Sequence, residues 1–179
     1  MLEQDLVPEL ARRAGGRAVE VRTLLLGGVM ESEVEVRIRH LWERFGRPRV
    51  TILASPGVVR LVLKAAEQGD RSAARLDEME RAFREALGGD VAGVDVAGLQ
   101  HVVVERLAAR RETLSTAESC TGGLLGAGIT DVPGASSVFQ GGVVCYSNRA
   151  KETMVGVPAG LIQDHGAVSE PVARALASG

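Results

Sequence analysis

The chain has 179 residues, a net charge of −2, 45% hydrophobic and 25% charged residues, and two cysteines. That is ordinary globular composition; no apolar run approaches the ~18 residues a membrane span needs, and the charge argues against strong non-specific nucleic-acid binding. The N-terminal MLEQDLVPELARRAGG has acidic residues and no apolar core of signal-peptide type, so a reducing cytoplasm is the expected compartment and no disulfide framework is expected.

The length permits one large domain or two small ones, and the glycine punctuation favours two. Residues 1–19 read as a short helix and connector ending in Gly15-Gly16. EVRTLLL, 20–26, is a strand candidate closed by Gly27-Gly28. Val34, Ile38, Leu41, Trp42 and Phe45 then recur at helical spacing over 31–45. Two apolar runs follow, VTILA (50–54) and VVRLVLKA (58–65), joined by Ser55-Pro56-Gly57. Pro then Gly suits a type II turn, so these runs predict a hairpin. Leu76, Met79, Phe83 and Leu87 share one face of a helix over 70–87, which Gly88-Gly89 ends. With a short strand near 90–93, the order is β-α-β-β-α plus one strand, and this first unit is expected to span 20–93.

The second unit is expected to span 94–179. Residues 96–110 suit a helix, LSTA (114–117) a strand, 122–130 a helix and 138–147 a largely apolar strand. SNRAKET reads as a polar turn leading into a short helical stretch. Ser169 is placed to cap a last helix, with Pro171 tolerated in its first turn. The fold class expected is therefore α/β. A strand-helix-strand unit makes its strands parallel, so both end on one edge of the sheet. Ligands bind outside that edge in open α/β sheets. Ser119, Thr121, Tyr146 and Lys151 would converge there.

TAESCTGG, 116–123, carries the chemistry worth arguing over. Either Ser119 or Cys120 could attack, or the stretch could be a plain capped helix start. A serine hydroxyl needs a base. His165 with Asp164 is a weak candidate, because neighbouring side chains rarely face each other as a triad requires. Lys151, one of only two lysines, is the better one, since an amine can accept a proton once its charge is disfavoured. Tyr146 could orient or relay that proton. Gly122 and Gly123 would let an anion approach the backbone N–H groups of the helix that follows. Cys120 and Cys145 each read as small buried hydrophobes.

The run TLSTAESCTGGLLGAGITDVPGASSVFQGGVVCYSNRAKETMVGVP, with HGAVSEPVARA after it, closely resembles the C-terminal domain of the CinA (competence/damage-inducible) family. The first unit resembles the middle, KH-like domain of long CinA proteins, through ESEVE (31–35), VTILASPGVVRLVL and GGDVAG. The resemblance implies a three-layer αβα nicotinamide-nucleotide amidohydrolase, or NMN deamidase, converting nicotinamide mononucleotide to nicotinic acid mononucleotide and ammonia. It implies no metal and no organic cofactor. It places the nucleophile on Ser119, its partners on Tyr146 and Lys151, and substrate-side positions on Thr121, Gly122, Gly123, Ser136, Ser137 and Asn148. The family pattern runs on past SEPVARA through further strands and a Thr-Gly-x-Ala-Gly-Pro loop, so the domain is expected to be incomplete here, with loss of activity one consequence. Open sheet edges would favour pairing into a homo-oligomer.

The alternative is a non-catalytic remnant acting as a KH-like interaction or nucleic-acid module. Nucleic-acid-binding KH domains clamp the backbone with a GxxG loop, which the first unit lacks. Arg37, Arg39, Arg44, Arg47 and Arg49 cluster in sequence, but a solvated helix face is the favoured reading. Nucleic acid is not an expected partner.

Overall fold

The computed structural model describes residues 19–46, 49–66 and 71–179. The connector expected over 1–19 lies, but for Val19, outside the described residues. The chain divides into two compact units, up to Leu99 and from Gln100 onward.

In the first unit, β1 (Glu20–Gly27), α1 (Glu31–Phe45), β2 (Val50–Ser55), β3 (Val58–Ala65), α2 (Arg71–Leu87) and β4 (Val91–Val94) follow one another. The strands form one antiparallel sheet in the order β2-β3-β1-β4. Pro56 and Gly57 make the two-residue hairpin link, with Gly57 at φ 75°, the left-handed geometry that a type II turn demands of its third residue. β3 alternates half-buried and buried along its length. Leu61 and Leu63 therefore face the buried sides of both helices: Val34, Ile38, Leu41 and Phe45 from α1, and Leu76, Met79, Phe83 and Leu87 from α2. The apolar spacing read from the sequence is this core face.

The second unit is built from α3 (Leu99–Arg110, which starts at the boundary), β5 (Leu114–Glu118), α4 (Leu124–Thr130), β6 (Phe139–Val144), α5 (Asn148–Val155), α6 (Ala159–His165) and α7 (Glu170–Ser178). β5 and β6 pair in parallel, as strands joined by a crossover helix must. A register shift after Leu114 moves its neighbour Ser115 opposite Gly141, which sits at φ 139°. Side chains alternate across the strand pair. Leu114 and Phe139 pack with Val104, Ile129 and Val138. Ala117 and Val143 pack with Cys145, Val155, Ile162 and Val172. Apolar clusters thus cover both faces of a thin sheet. Gly142 is required by contact: a Cβ there would lie 2.2 Å from Thr116 Oγ1.

Three expectations are corrected here. β6 ends at Val144 rather than 147. Cys145 N–H still donates to Glu118 O at 2.8 Å, but the carbonyls of Cys145 and Tyr146 turn to Lys151 instead of a neighbouring strand. SNRAKET is not a turn: Ser147 Oγ accepts from Ala150 N–H at 3.1 Å, and α5 starts at Asn148. Ser169 precedes α7 without capping it through its side chain, because its hydroxyl donates back to Gly166 O at 3.0 Å.

Candidate active site

The site is assembled where β5 ends. Glu118, the last residue of that strand, is only 5% exposed. Its carboxylate accepts from Thr121 Oγ1 (2.6 Å), Gly123 N–H (3.1 Å), Leu125 N–H (3.0 Å) and Gly126 N–H (2.7 Å). These donors include amides of the first turn of α4, which have no partner within their own helix. The Thr121 hydroxyl, and then the three amides, hold the carboxyl below its ordinary range against the opposing effect of burial. Gly122 and Gly123, at φ 62° and 102°, carry the chain round the carboxylate in a left-handed geometry that other residues adopt only with strain. Gly126 lets α4 come close: a Cβ there would meet Glu118 Oε1 at 3.2 Å.

The anion cradle expected at Gly122-Gly123 is therefore already filled, and its occupant is the chain's own Glu118. Gly122 N–H donates to Ser119 O, and Leu124 N–H to Thr121 O. Among the described residues, this leaves the amides of Ser119, Cys120 and Thr121 around the turn without a protein acceptor.

Ser119 follows Glu118 directly and is half-buried. Lys151 reaches it from α5, where it lies one turn before Val155 on the buried face. The lysine is 1% exposed. Its Nζ lies 2.9 Å from Ser119 Oγ, 3.1 Å from Cys145 O and 2.8 Å from Tyr146 O. No carboxylate forms an ion pair with it among the described residues. A neutral amine has two N–H donors and one lone pair, enough for two carbonyls and one serine O–H. An ammonium would instead direct its third N–H at Ser119 Oγ. The same geometry serves a proton on either atom.

The other site positions divide. Tyr146 gives its carbonyl to Lys151, while its ring is 74% exposed and its hydroxyl has no hydrogen bond among the described residues. The structure does not bring that ring to the Ser119–Lys151 pair. Thr121 is committed to Glu118. Asn148 is exposed at the start of α5, on the same strand edge. Ser136 and Ser137 are not there: they form a single turn before β6, with Ser137 Oγ donating to Gly134 O. Six residues of strand, about 20 Å, separate that turn from the Ser119 edge. His165 is exposed at the end of α6 and makes no hydrogen bond with Ser119. Cys145 is fully buried as expected, but Cys120 is exposed and belongs to neither apolar cluster. An open groove of about 430 Å³ passes Ser119 and Cys120 and is walled by Val168, Ala173 and Leu176.

Glu118 is the residue at the centre of this turn that sequence reasoning missed. A signal was present: a strand-ending carboxylate three residues before Thr121, with glycines at 122, 123 and 126, is a capping pattern with the acid placed ahead of the helix. In the first unit, Arg37 bonds Asp90, Ala86 O and Leu87 O, and Arg44 bonds Glu78. Arg47 lies outside the described residues. No group of three or more His, Cys, Asp or Glu side chains suited to a metal occurs among the described residues.

Comparison with known proteins gives a consistent picture. Residues 21–93 match the family described as the damage-inducible protein CinA KH domain, and residues 96–179 match the CinA C-terminal domain. A putative competence-damage inducible protein of Symbiobacterium thermophilum is 43% identical over all of this chain and 43% of its own length. A CinA-like protein of Parasynechococcus marenigrum is 42% identical over all of this chain, again 43% of its own length. The chain thus spans less than half the length of these curated relatives. The crystal structure of competence/damage inducible protein CihA from Agrobacterium tumefaciens is similar over 45% of this chain and 48% of that one, at 38% identity and a TM-score of 0.44.

Proposed function

The chain belongs to the CinA family through residues 21–93 and 96–179, and we propose that its second unit is built as a serine amidohydrolase acting on nicotinamide mononucleotide. The observation that carries this reading is the 2.9 Å contact between Ser119 Oγ and the buried Lys151 Nζ, with two main-chain carbonyls orienting the amine. A Ser-Lys pair is an established form of activated serine.

In the proposed reaction, Ser119 Oγ attacks the carboxamide carbon while its proton passes to Lys151. The tetrahedral intermediate places its oxyanion against two of the unclaimed amides, those of Cys120 and Thr121. Collapse breaks the C–N bond, the proton on Lys151 goes to the leaving nitrogen, and ammonia departs. Water then adds to the acyl-serine with Lys151 again taking a proton, which returns Ser119 and releases the carboxylate. No electron carrier enters this balance. Tyr146 and Asn148, exposed on the same edge, are assigned to the nucleotide side of the substrate. Gly122 and Gly123 act through the shape of the turn.

Ammonia release from nicotinamide mononucleotide tests the reading. Ser119→Ala should abolish it and Lys151→Ala should reduce it severely. Activity that survives Ser119→Ala but is lost in Cys120→Ala would overturn the serine assignment.

A further inference from the structure

Glu118 has two hydrogen-bonding ends, and they reach the two halves of the proposed catalytic pair. Its carboxylate fastens Thr121, Gly123, Leu125 and Gly126, which fixes the turn that begins at Ser119. Its main-chain carbonyl accepts from Cys145 N–H (2.8 Å) and Cys145 Sγ (3.5 Å). The carbonyl of Cys145 in turn accepts from Lys151 Nζ. One residue therefore sets the nucleophile from one side and the cradle of its amine from the other.

We infer that Glu118 is the positioning residue of the site: it holds Ser119 Oγ on Lys151 Nζ, and by consuming the amides of Gly123, Leu125 and Gly126 it leaves those of Cys120 and Thr121 for the developing oxyanion. This rests on the reading of Ser119 as nucleophile. The carboxylate does not touch the reacting atoms. A neutral amide cannot replace it. Whichever way the side chain of Glu118→Gln were turned, its NH2 would face at least one backbone N–H that now donates to an oxygen. The elements beside the carboxylate, α4 and β6, carry no ionisable side chain, β5 carries none but Glu118 itself, and no basic side chain pairs with the carboxylate among the described residues. Its charge is met by dipoles alone.

The test uses the full chain and a serine-directed fluorophosphonate probe, whose rate of reaction with Ser119 reads the poise of the nucleophile independently of substrate. Glu118→Gln should slow labelling about a hundredfold, the cost of misplacing a reacting group by about an ångström. Thr121→Val, which alters only an exposed turn residue, should slow it about tenfold through loss of one charge-assisted hydrogen bond, and Thr121→Ser should restore most of that. Wild-type labelling in this graded pattern without ammonia release would sustain the positioning role and sink the nicotinamide mononucleotide reading. Equal labelling of wild type, Glu118→Gln and Thr121→Val, with ammonia still released, would overturn the positioning role and leave the function standing. A wild-type chain that the probe does not label would also overturn it.

Discussion

The two units solve burial in opposite ways. In the first, a four-stranded sheet and two helices enclose one continuous cluster in which Leu24, Leu61, Met79 and Phe83 are sealed from solvent. In the second, two strands divide two small clusters, and Thr116, Glu118 and Lys151 are buried beside them. Sealing in a carboxylate and an amine costs free energy unless hydrogen bonds replace water. The second unit meets that cost with backbone groups: three amides for Glu118 and two carbonyls for Lys151. A unit with less apolar surface to bury has thus committed main-chain polarity to holding a carboxylate and an amine in place. Apolar burial is concentrated in the first unit and buried polarity in the second.

The largest test of this contrast is chemical. Lys151→Met keeps the length of the side chain and removes the amine, and it should lower ammonia release about a thousandfold, within the range of general acid–base contributions. Retained activity would make Lys151 a core residue like any in the first unit. Next comes Phe83→Ala, which should destabilise the first unit by about 3–5 kcal/mol through lost burial and a cavity. The lone tryptophan, Trp42, lies on α1, so urea unfolding followed by its fluorescence reads that unit. Labelling of Ser119 in dilute buffer should not change. In the second unit, Gly142→Ala should cost about 1–3 kcal/mol by overpacking, since the new methyl meets Thr116 Oγ1 at 2.2 Å and its carbonyl oxygen at 3.2 Å. Circular dichroism melts check this.

Acid sharpens the contrast further. The Glu118 carboxyl is held below its ordinary range by Thr121 and three amides. Its stabilising contribution is therefore complete above the unfolded carboxyl value of ~4.3 and is lost as pH falls through the lower folded value. Glu118→Gln should flatten that part of the stability profile, and an unchanged profile would show that the carboxylate contributes nothing to folding. The smallest effect is expected from Arg174→Ala. It removes an ion pair to Glu170 in which both side chains are exposed, and should cost no more than ~0.5 kcal/mol.

The first unit was almost entirely legible because apolar spacing and glycine stops state the same thing twice. Leu76, Met79, Phe83 and Leu87 mark the face, and Gly88 marks the end. The second unit was legible in order but not in its joints. The parallel strand pair and the meeting of Ser119 with Lys151 followed from topology and family resemblance. That SNRAKET is helical depended on one side-chain cap by Ser147 in a stretch with little apolar periodicity. The outward Tyr146 ring follows from the loss of ladder bonding after Val144, and a sequence of residues does not display where a ladder stops. Cys120 illustrates the same limit: its composition suggests burial, but it is exposed in the turn that follows Glu118.

That exposed thiol has a practical consequence. The chain's other cysteine, Cys145, is fully buried and bonded through sulfur to Glu118 O. A maleimide dye added to the folded protein should therefore attach at one place, the residue beside Ser119, and its emission would report occupancy of the groove without any substitution in the chain.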